Sequence, residues 1–215
     1  MSDHALELQI AWQRHVAPST DLLDRVIARH REKHRRYHNV AHVAWVVRNV
    51  ETLAGDLTAT DHALSDEALA VAAAFYHDAV YEPRSPARAN ERASARLARR
   101  DLAGMGWDEQ RANAAGDMIE ATADHLDPAS PEVAVLFDAD LSVLGADPAG
   151  YGDYTRNVRA EYAHVSDDDW RSGRSEVLER LLERPTIFAT EPGRARWEER
   201  ARANITAELE LLRSG

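Results

Sequence analysis

The pattern of apolar and polar residues indicates helix in almost every segment of this 215-residue chain. Ala, Leu, Glu and Arg dominate, and runs of β-branched residues are scarce, which favours helix over strand. The connections are short, the longest being 55–64 and 184–192, and no Gly/Ser-rich linker divides the chain. The sequence therefore predicts an all-α fold, a single compact helical bundle spanning 1–215. The roughly ten predicted helices cover about 3–16, 20–34, 39–54, 65–82, 86–103, 108–125, 131–144, 148–163, 167–183 and 193–213.

Residues that commonly begin and end helices agree with this division of the chain. Ser85-Pro86, Ser130-Pro131 and Asp147-Pro148 each place a capping side chain before a proline at the first helical position. Gly104 and Gly145 stand where helix C-caps are expected. These signals predict the starts of three helices and the ends of two.

Composition and charge exclude several classes of protein. Apolar residues make up 44% of the chain and charged residues 29%, as in ordinary globular proteins. The net charge of −11 argues against general nucleic-acid binding, which requires a basic face. There is no cysteine, so disulfides and thiolate chemistry are excluded. The N-terminus lacks signal-peptide features and no apolar run approaches membrane-spanning length, so we expect a cytoplasmic protein without a membrane partner.

A polar dipeptide, His77-Asp78, ends the apolar run 68–75. A helix so rich in apolar residues is normally buried on most sides, and an unpaired buried charge is very costly. A divalent metal ion would satisfy both side chains at once, because imidazole and carboxylate are good ligands for such ions. The alternative is a His–Asp hydrogen bond that only stabilises the core. The positions of the other His and Asp residues therefore decide between the two interpretations.

Two pairs of histidines have the i,i+4 spacing that places side chains on one helix face, namely His30 with His34 and His38 with His42. Spacing alone does not distinguish the pairs. Valines on both sides of His42 indicate a buried helix around it. Arg and Lys surround His30 and His34, so we expect these two histidines on a solvated basic face.

Asp138 and Asp140 interrupt a second apolar segment, 131–144. On an α-helix their side chains point about 200° apart, so they cannot serve one site equally. We expect one of them to face the core and the other to face a different neighbour.

Four more residues are candidates for the same chemistry, each with an ordinary alternative. Glu91 could hold water or act as a base, or it could simply be an acid favoured near a helix N-terminus. His125, at a predicted helix C-terminus, could be a ligand or only a favourable charge there. Arg159 and Arg174 could grip phosphate oxygens, or pair with nearby acids.

Taken together, His42, His77-Asp78 and Asp140 lie on separate predicted helices. This arrangement resembles the HD-domain superfamily of metal-dependent phosphohydrolases, whose pattern is a His, a His-Asp pair and a later Asp. The chain more closely resembles a small bacterial group of HD-superfamily phosphohydrolases, whose activity is mostly inferred. The order Tyr-His-Asn-x-x-His is also similar to the first motif of cyclic-nucleotide phosphodiesterases. The resemblance covers nearly the whole chain, at Arg36 to Asn39, His42, Phe75 to Tyr81, Asn90-Glu91, Asp138 to Gly145, Arg159 to Tyr162 and Gly173-Arg174.

The resemblance implies an HD-type bundle in which His42, His77, Asp78 and Asp140 hold a divalent ion. His38 would be the general acid that protonates the leaving group, and Asp78 would also touch the attacking water. The metal would be Mn, Mg, Fe, Co, Ni or Zn, with one or two ions per chain.

We expect further supporting residues around this set. Glu91 and His125 would hold a second metal or orient water, and Asp138 would be a further candidate ligand for a second metal or would support the ligands from outside the site. Arg159 and Arg174 would contact the substrate phosphate.

The expected function is therefore metal-dependent hydrolysis of a phosphoester, of a nucleotide or another small phosphorylated metabolite. One alternative is a di-iron oxygenase on the same fold, with His125 and His38 as the extra ligands. The other is a non-catalytic nucleotide-binding module, against which the intact ligand set argues.

Overall fold

The computed structural model describes residues 3–214, and within that range it contains ten α-helices and no β-strand. The prediction of an all-α bundle of about ten helices is confirmed. Most helix boundaries lie within a few residues of the predicted ones. The helices are α1 (Asp3–His15), α2 (Asp21–His30), α3 (Val40–Leu57), α4 (Glu67–Tyr76), α5 (Ala89–Gly104), α6 (Glu109–Ala121), α7 (Pro131–Leu141), α8 (Pro148–Glu161), α9 (Asp167–Glu183) and α10 (Glu191–Ser214), with a 3₁₀ turn (Ser142–Gly145) between α7 and α8.

Helix α4 lies in the middle of the bundle and packs against α1, α3, α5, α6 and α7. Its residues from Ala70 to Tyr76 are buried, and its run of alanine side chains leaves room for neighbouring helices to approach closely. Near its C-terminal end the rings of Trp12 and Phe75 pack edge to face, with centroids 5.2 Å apart. The residues that follow α4 therefore enter the interior of the bundle.

Helix α4 ends earlier than predicted. The sequence pattern predicts a helix over 65–82, whereas α4 ends at Tyr76, and the next two residues form the following turn. The backbone N–H of His77 still donates to the carbonyl of Ala73, at 2.8 Å, so this turn continues directly from the helix. His77 and Asp78 are consequently fixed at a buried helix terminus instead of inside a helix.

Helix α2 also ends early, at His30 instead of at 34, and residues 31–39 form an irregular loop. The fully buried guanidinium of Arg35 explains the loop, because it donates to the carbonyl oxygens of His38 (3.0 Å) and Asp78 (2.7 Å). The expectation that His30 lies on a solvated face is wrong. His30 is fully buried, and burial, with the nearby Arg35, lowers its pKa to about 3, while His34 is exposed.

Two of the three predicted N-caps are present. The side chains of Ser130 and Asp147 accept hydrogen bonds from backbone N–H groups in the first turns of α7 and α8. Ser85 does not cap α5, because that helix begins only after Arg88, whose φ of +63° lies in the left-handed region. The change of backbone conformation at Arg88 separates Ser85-Pro86 from the helix.

The C-terminal helix fixes the end of α7. Helix α10 packs against the 3₁₀ turn, α9 and α3. A Cβ atom added to Gly145 would lie 2.5 Å from the Cβ atom of Trp197, so glycine permits this close approach. The side chain of Asn204 donates to the carbonyl oxygens of Leu144 (2.8 Å) and Ala146 (2.9 Å). Within residues 3–214, no helix combines the length and apolar character needed to cross a bilayer.

Candidate metal centre

Two imidazoles and a carboxylate from three parts of the fold meet at one point. His42 comes from the first turn of α3, His77 from the turn after α4, and Asp140 from the last turn of α7. One ligand atom from each lies within 4.8 Å of the other two. Nε2 of His42 is 3.1 Å from Nε2 of His77 and 3.3 Å from Oδ1 of Asp140. This group could hold a metal ion.

The carboxylate of Asp78 adjoins the same two imidazoles. Its Oδ2 atom is 3.4 Å from Nε2 of His42 and 3.3 Å from Nε2 of His77. The side chains of Asp78 and Asp140 are 18% and 17% exposed, whereas each imidazole is only 1% exposed. The structure thus brings together all four predicted ligand positions, with the carboxylates on the more accessible side.

These four groups are strongly coupled electrostatically. Burial by itself lowers the pKa of each imidazole, but the carboxylates of Asp78 and Asp140 reverse this, so the pKa of His42 is raised and that of His77 is raised well above its usual range. Burial by itself raises the pKa of each carboxylate, yet the histidines hold the pKa values of Asp78 and Asp140 well below the usual range. The two carboxylates therefore favour positive charge between them.

The hydrogen bonding of His77 suits a metal ligand. Its Nδ1 atom lies 2.8 Å from the carbonyl oxygen of Ala74, which can only accept, so Nδ1 carries the proton in the neutral ring. The lone pair of Nε2 then faces the cluster, as in most metal-bound histidines. Nδ1 of His42 is buried without a hydrogen-bond partner among residues 3–214. Two imidazoles with two carboxylates fit Mn, Fe, Co, Ni or Zn better than Mg, which prefers oxygen ligands.

His125 supports Asp140 from outside the cluster. Its Nε2 atom lies 2.9 Å from Oδ2 of Asp140, the oxygen that does not face His42. The residue has a left-handed φ of +50°, and Arg184 donates to its carbonyl oxygen at 2.9 Å. The contact between His125 and Asp140 holds the Asp140 carboxylate in one orientation. His125 is therefore placed to orient a predicted ligand.

His38 is held by a carboxylate that the sequence analysis did not assign to the site. Its Nδ1 atom lies 2.6 Å from Oε2 of Glu161, and its Nε2 atom lies 3.9 Å from Oδ2 of Asp78. Oε1 of Glu161 also accepts from the backbone N–H groups of residues 36–38, and Tyr81 donates its hydroxyl to Oε2. Glu161 therefore fixes both the loop that carries His38 and the orientation of its ring.

The sequence carries only weak signals for the roles of Glu161 and Arg35. The resemblance to the phosphohydrolase group includes the segment 159–162, but it gave Glu161 no role. Arg35 belongs to a run of basic residues that indicates a solvated face. In the structure its guanidinium is buried and reaches the Asp78 carbonyl. Only the tertiary contacts of these two residues show their roles.

Asp138 lies away from the cluster, which corrects the expectation that it adjoins the site. Its side chain is fully buried and accepts hydrogen bonds from the backbone N–H groups of Ala189 (2.7 Å) and Thr190 (2.8 Å) and from the Thr190 hydroxyl (2.7 Å). A Cβ atom added to Gly193 would lie 2.2 Å from Asp138 Oδ2. The carboxylate thus joins α7 to the segment that begins α10.

Arg159 differs from expectation, whereas the role expected for Glu91 stays a prediction. The guanidinium of Arg159 donates to the carbonyl oxygens of Tyr162 (2.7 Å) and Val165 (3.1 Å) and to Asp167 (2.6 Å). These partners fix the turn between α8 and α9, and Arg159 does not line the cavity beside the cluster. Glu91 makes no hydrogen bond to the cluster, and its Oε2 atom is buried without a partner among residues 3–214.

A cavity of about 430 Å³ opens beside the cluster, and both His38 and Asp140 line it. Arg174 lines it too, but its guanidinium is bound to the Glu208 carboxylate at 2.8 and 3.1 Å and to the Tyr154 hydroxyl at 3.1 Å. The cavity is large enough for a small organic molecule. It therefore connects the candidate metal ligands with a space that a substrate could occupy.

No protein-family model matches this chain. Comparisons with curated proteins and with solved structures find no match either. The likeness to the HD superfamily therefore stays a prediction that depends on the residues described above. What the structure adds is their geometry: a His/Asp cluster that could hold a metal ion, a histidine held by a carboxylate, and an adjoining cavity.

Proposed function

We propose that this chain is a metal-dependent phosphohydrolase that uses water to cleave a phosphoester of a nucleotide or another small phosphorylated metabolite. His42, His77, Asp78 and Asp140 would hold the divalent ion. The observation that carries the proposal is the convergence of these side chains from three separate helical elements beside a cavity. A buried cluster of this kind is costly unless a cation or protons compensate the carboxylates.

The bound ion would supply polarisation of a phosphoryl oxygen and a more acidic water molecule. The chain's own residues would do the rest. His125 keeps Oδ1 of Asp140 directed at the cluster by holding Oδ2. Asp78 and Asp140, the more exposed members, lie where a phosphoester and a water molecule can approach them.

His38 would supply the proton that the departing oxygen needs. It lines the cavity, and its Nε2 atom lies 3.9 Å from the Asp78 carboxylate. Glu161 binds Nδ1 and so leaves Nε2 directed away from itself. An imidazole held by a carboxylate on one nitrogen can transfer a proton through the other.

The test is a screen of phosphorylated compounds with metal-reconstituted protein, in which phosphate and pyrophosphate release are measured. We expect release that requires added Mn²⁺, Fe²⁺, Co²⁺, Ni²⁺ or Zn²⁺ and that is lost in His77→Ala and Asp140→Ala. Asp117→Ala is the matched control, because its side chain is 76% exposed and pairs only with Arg99 at the surface. This control should retain wild-type turnover.

Three outcomes would overturn the proposal. Oxygen consumption by the iron-loaded protein, without phosphate release, would indicate the oxygenase alternative. A nucleotide-induced rise in melting temperature without turnover would indicate a binding module. Equal phosphate release by wild type and Asp140→Ala would show that a contaminant is responsible.

A further inference from the structure

Two helical stripes of mainly apolar residues line the cavity beside the cluster. The residues on α8 and just after it are spaced by four, and those on α9 are spaced by three and then four, so each set occupies one helix face. The 3₁₀ turn adds Val143 and Leu144 to the wall. The stripes are Tyr154, Val158 and Tyr162 on the first wall and Trp170, Gly173 and Val177 on the second.

One part of this cavity is polar and belongs to the candidate centre. His38 and Asp140 both line it there. A phosphoester bound with its phosphorus at the cluster would extend its organic part along the two stripes. Because His38 would protonate the departing oxygen, the part that extends into the cavity is the leaving alcohol.

Within the described residues, the cavity has no unpaired cationic side chain that could bind a second negative charge. Among its lining residues within the described chain, the only arginine or lysine is Arg174, which is already neutralised by bidentate contacts with Glu208. The Arg174 side chain is only 9% exposed, so it is not free to reorient. The other charged group that lines the cavity outside the cluster is the exposed Asp169 carboxylate, which would repel an anion.

We propose that the cavity selects the alcohol half of a phosphomonoester, and that this half is apolar, carries a ring and bears no charge. The inference rests on the proposed function. In the reaction a water oxygen forms a bond to phosphorus, and the bond from phosphorus to the alcohol oxygen breaks. His38 gives its proton to that alcohol oxygen, and the proton lost by water returns to His38 or to solvent. The products are inorganic phosphate and a neutral alcohol.

Three primary alkyl esters with similar leaving groups test the preference. They are 2-phenylethyl phosphate, 2-hydroxyethyl phosphate and 2-carboxyethyl phosphate. We expect kcat/KM to be at least about tenfold higher for the phenyl ester than for the hydroxyl ester, because burying a ring in an apolar pocket discriminates by at least that factor. The carboxylate ester should be the poorest substrate.

Substitution of Gly173 tests whether the ring of the substrate binds in this cavity. A Cβ atom added to Gly173 meets nothing within 4 Å, so Gly173→Leu should fold and extend a side chain into the cavity. Gly55→Leu is the matched control, because Gly55 also lies inside a helix with open space at its Cβ position, but outside this cavity. Both changes raise helix propensity, so neither should lower the melting temperature.

In Gly173→Leu we expect kcat/KM for the phenyl ester to fall at least about tenfold, mainly through KM, while the value for the hydroxyl ester stays within about twofold. Gly55→Leu should match wild type for both esters. A preference for the hydroxyl or carboxylate ester, or an equal loss for both esters in Gly173→Leu, would overturn the inference and leave the proposed function intact.

A binding measurement separates this inference from the proposed function. In the metal-free protein, ¹⁹F NMR line broadening of 2-(4-fluorophenyl)ethanol reports occupancy of the cavity without any catalysis. We expect broadening with wild type and Gly55→Leu but not with Gly173→Leu. Equal broadening in all three proteins would overturn the inference that the ring binds in this cavity. If the probe binds as expected but no phosphoester is hydrolysed with any metal, the proposed function fails, and with it the assignment of the occupant as the alcohol of a phosphoester.

Discussion

Replacing Glu161 with Gln would remove one buried negative charge while keeping the shape of the side chain. The carboxylate is fully buried and accepts from the backbone N–H groups of residues 36–38, from the Tyr81 hydroxyl and from His38. One amide oxygen can replace Oε1, but an NH₂ group would then face His38 and Tyr81. The substitution therefore weakens the contacts that hold the His38 loop.

The pKa of Glu161 gives the size of the effect. Burial alone would raise it, but the hydrogen bonds from His38 and the backbone of the loop lower it from 4.5 to about 2. That difference corresponds to about 3 kcal/mol of stability at pH 7. Because the folded-state pKa is depressed, this contribution is fully present above about pH 4.5 and is lost as the pH falls towards 2.

Urea unfolding of wild type and Glu161→Gln at several pH values measures this contribution. We expect a difference in free energy of unfolding of about 3 kcal/mol at pH 7, equivalent to a melting temperature lower by about 6–12 °C. The difference should shrink to less than half of that by pH 3. Glu176→Gln is the control, because this side chain is 69% exposed and pairs with Arg180 across one helical turn, so it should change stability by less than about 0.5 kcal/mol. A Glu161→Gln deficit that is the same at pH 7 and pH 3 would refute the assignment of the effect to the charge.

Three other substitutions separate structural from catalytic residues. Asp138→Ala should lower the free energy of unfolding by about 3 kcal/mol, because it strands buried N–H groups, while metal content by elemental analysis stays unchanged; loss of the metal would contradict this. Asp140→Ala should remove both metal and phosphate release, and retention of either would reverse our assignment. His38→Ala should keep the metal but lose about a hundred- to ten-thousand-fold in kcat/KM on alkyl phosphates, with a smaller loss on a nitrophenyl ester, whose leaving group needs no proton; an unchanged ratio of the two would exclude His38 as the acid.

The sequence predicted the helices well where the signals are local. Ser130-Pro131 and Asp147-Pro148 start α7 and α8 as predicted, since a cap acts on the first turn alone. The ends of α2 and α4 were predicted too late. They depend on Arg35, whose guanidinium binds the carbonyl oxygen of Asp78, 43 residues away. Helix propensity carries no information about such a contact.

The candidate site likewise combines features that local sequence predicts with long-range contacts that it does not predict. Asp138 and Asp140 point to different neighbours, as the helical period predicts, and only Asp140 reaches His42. Ionisable residues in apolar segments were thus a reliable signal for the cluster. Glu161 was given no role, because its partners in the loop lie more than 120 residues earlier in the chain. Arg159 looked like a phosphate ligand, but its donors are used within its own turn.

The most direct test of the account is the metal content of the purified protein after reconstitution with a divalent transition metal. We expect about one to two ions per chain in wild type, most of which is lost in His42→Ala. His62→Ala is the matched control, because His62 is exposed and lies outside the cluster, so it should bind metal as wild type does. Wild type without bound metal after reconstitution, or a His42→Ala protein that retains as much metal as wild type, would contradict the account.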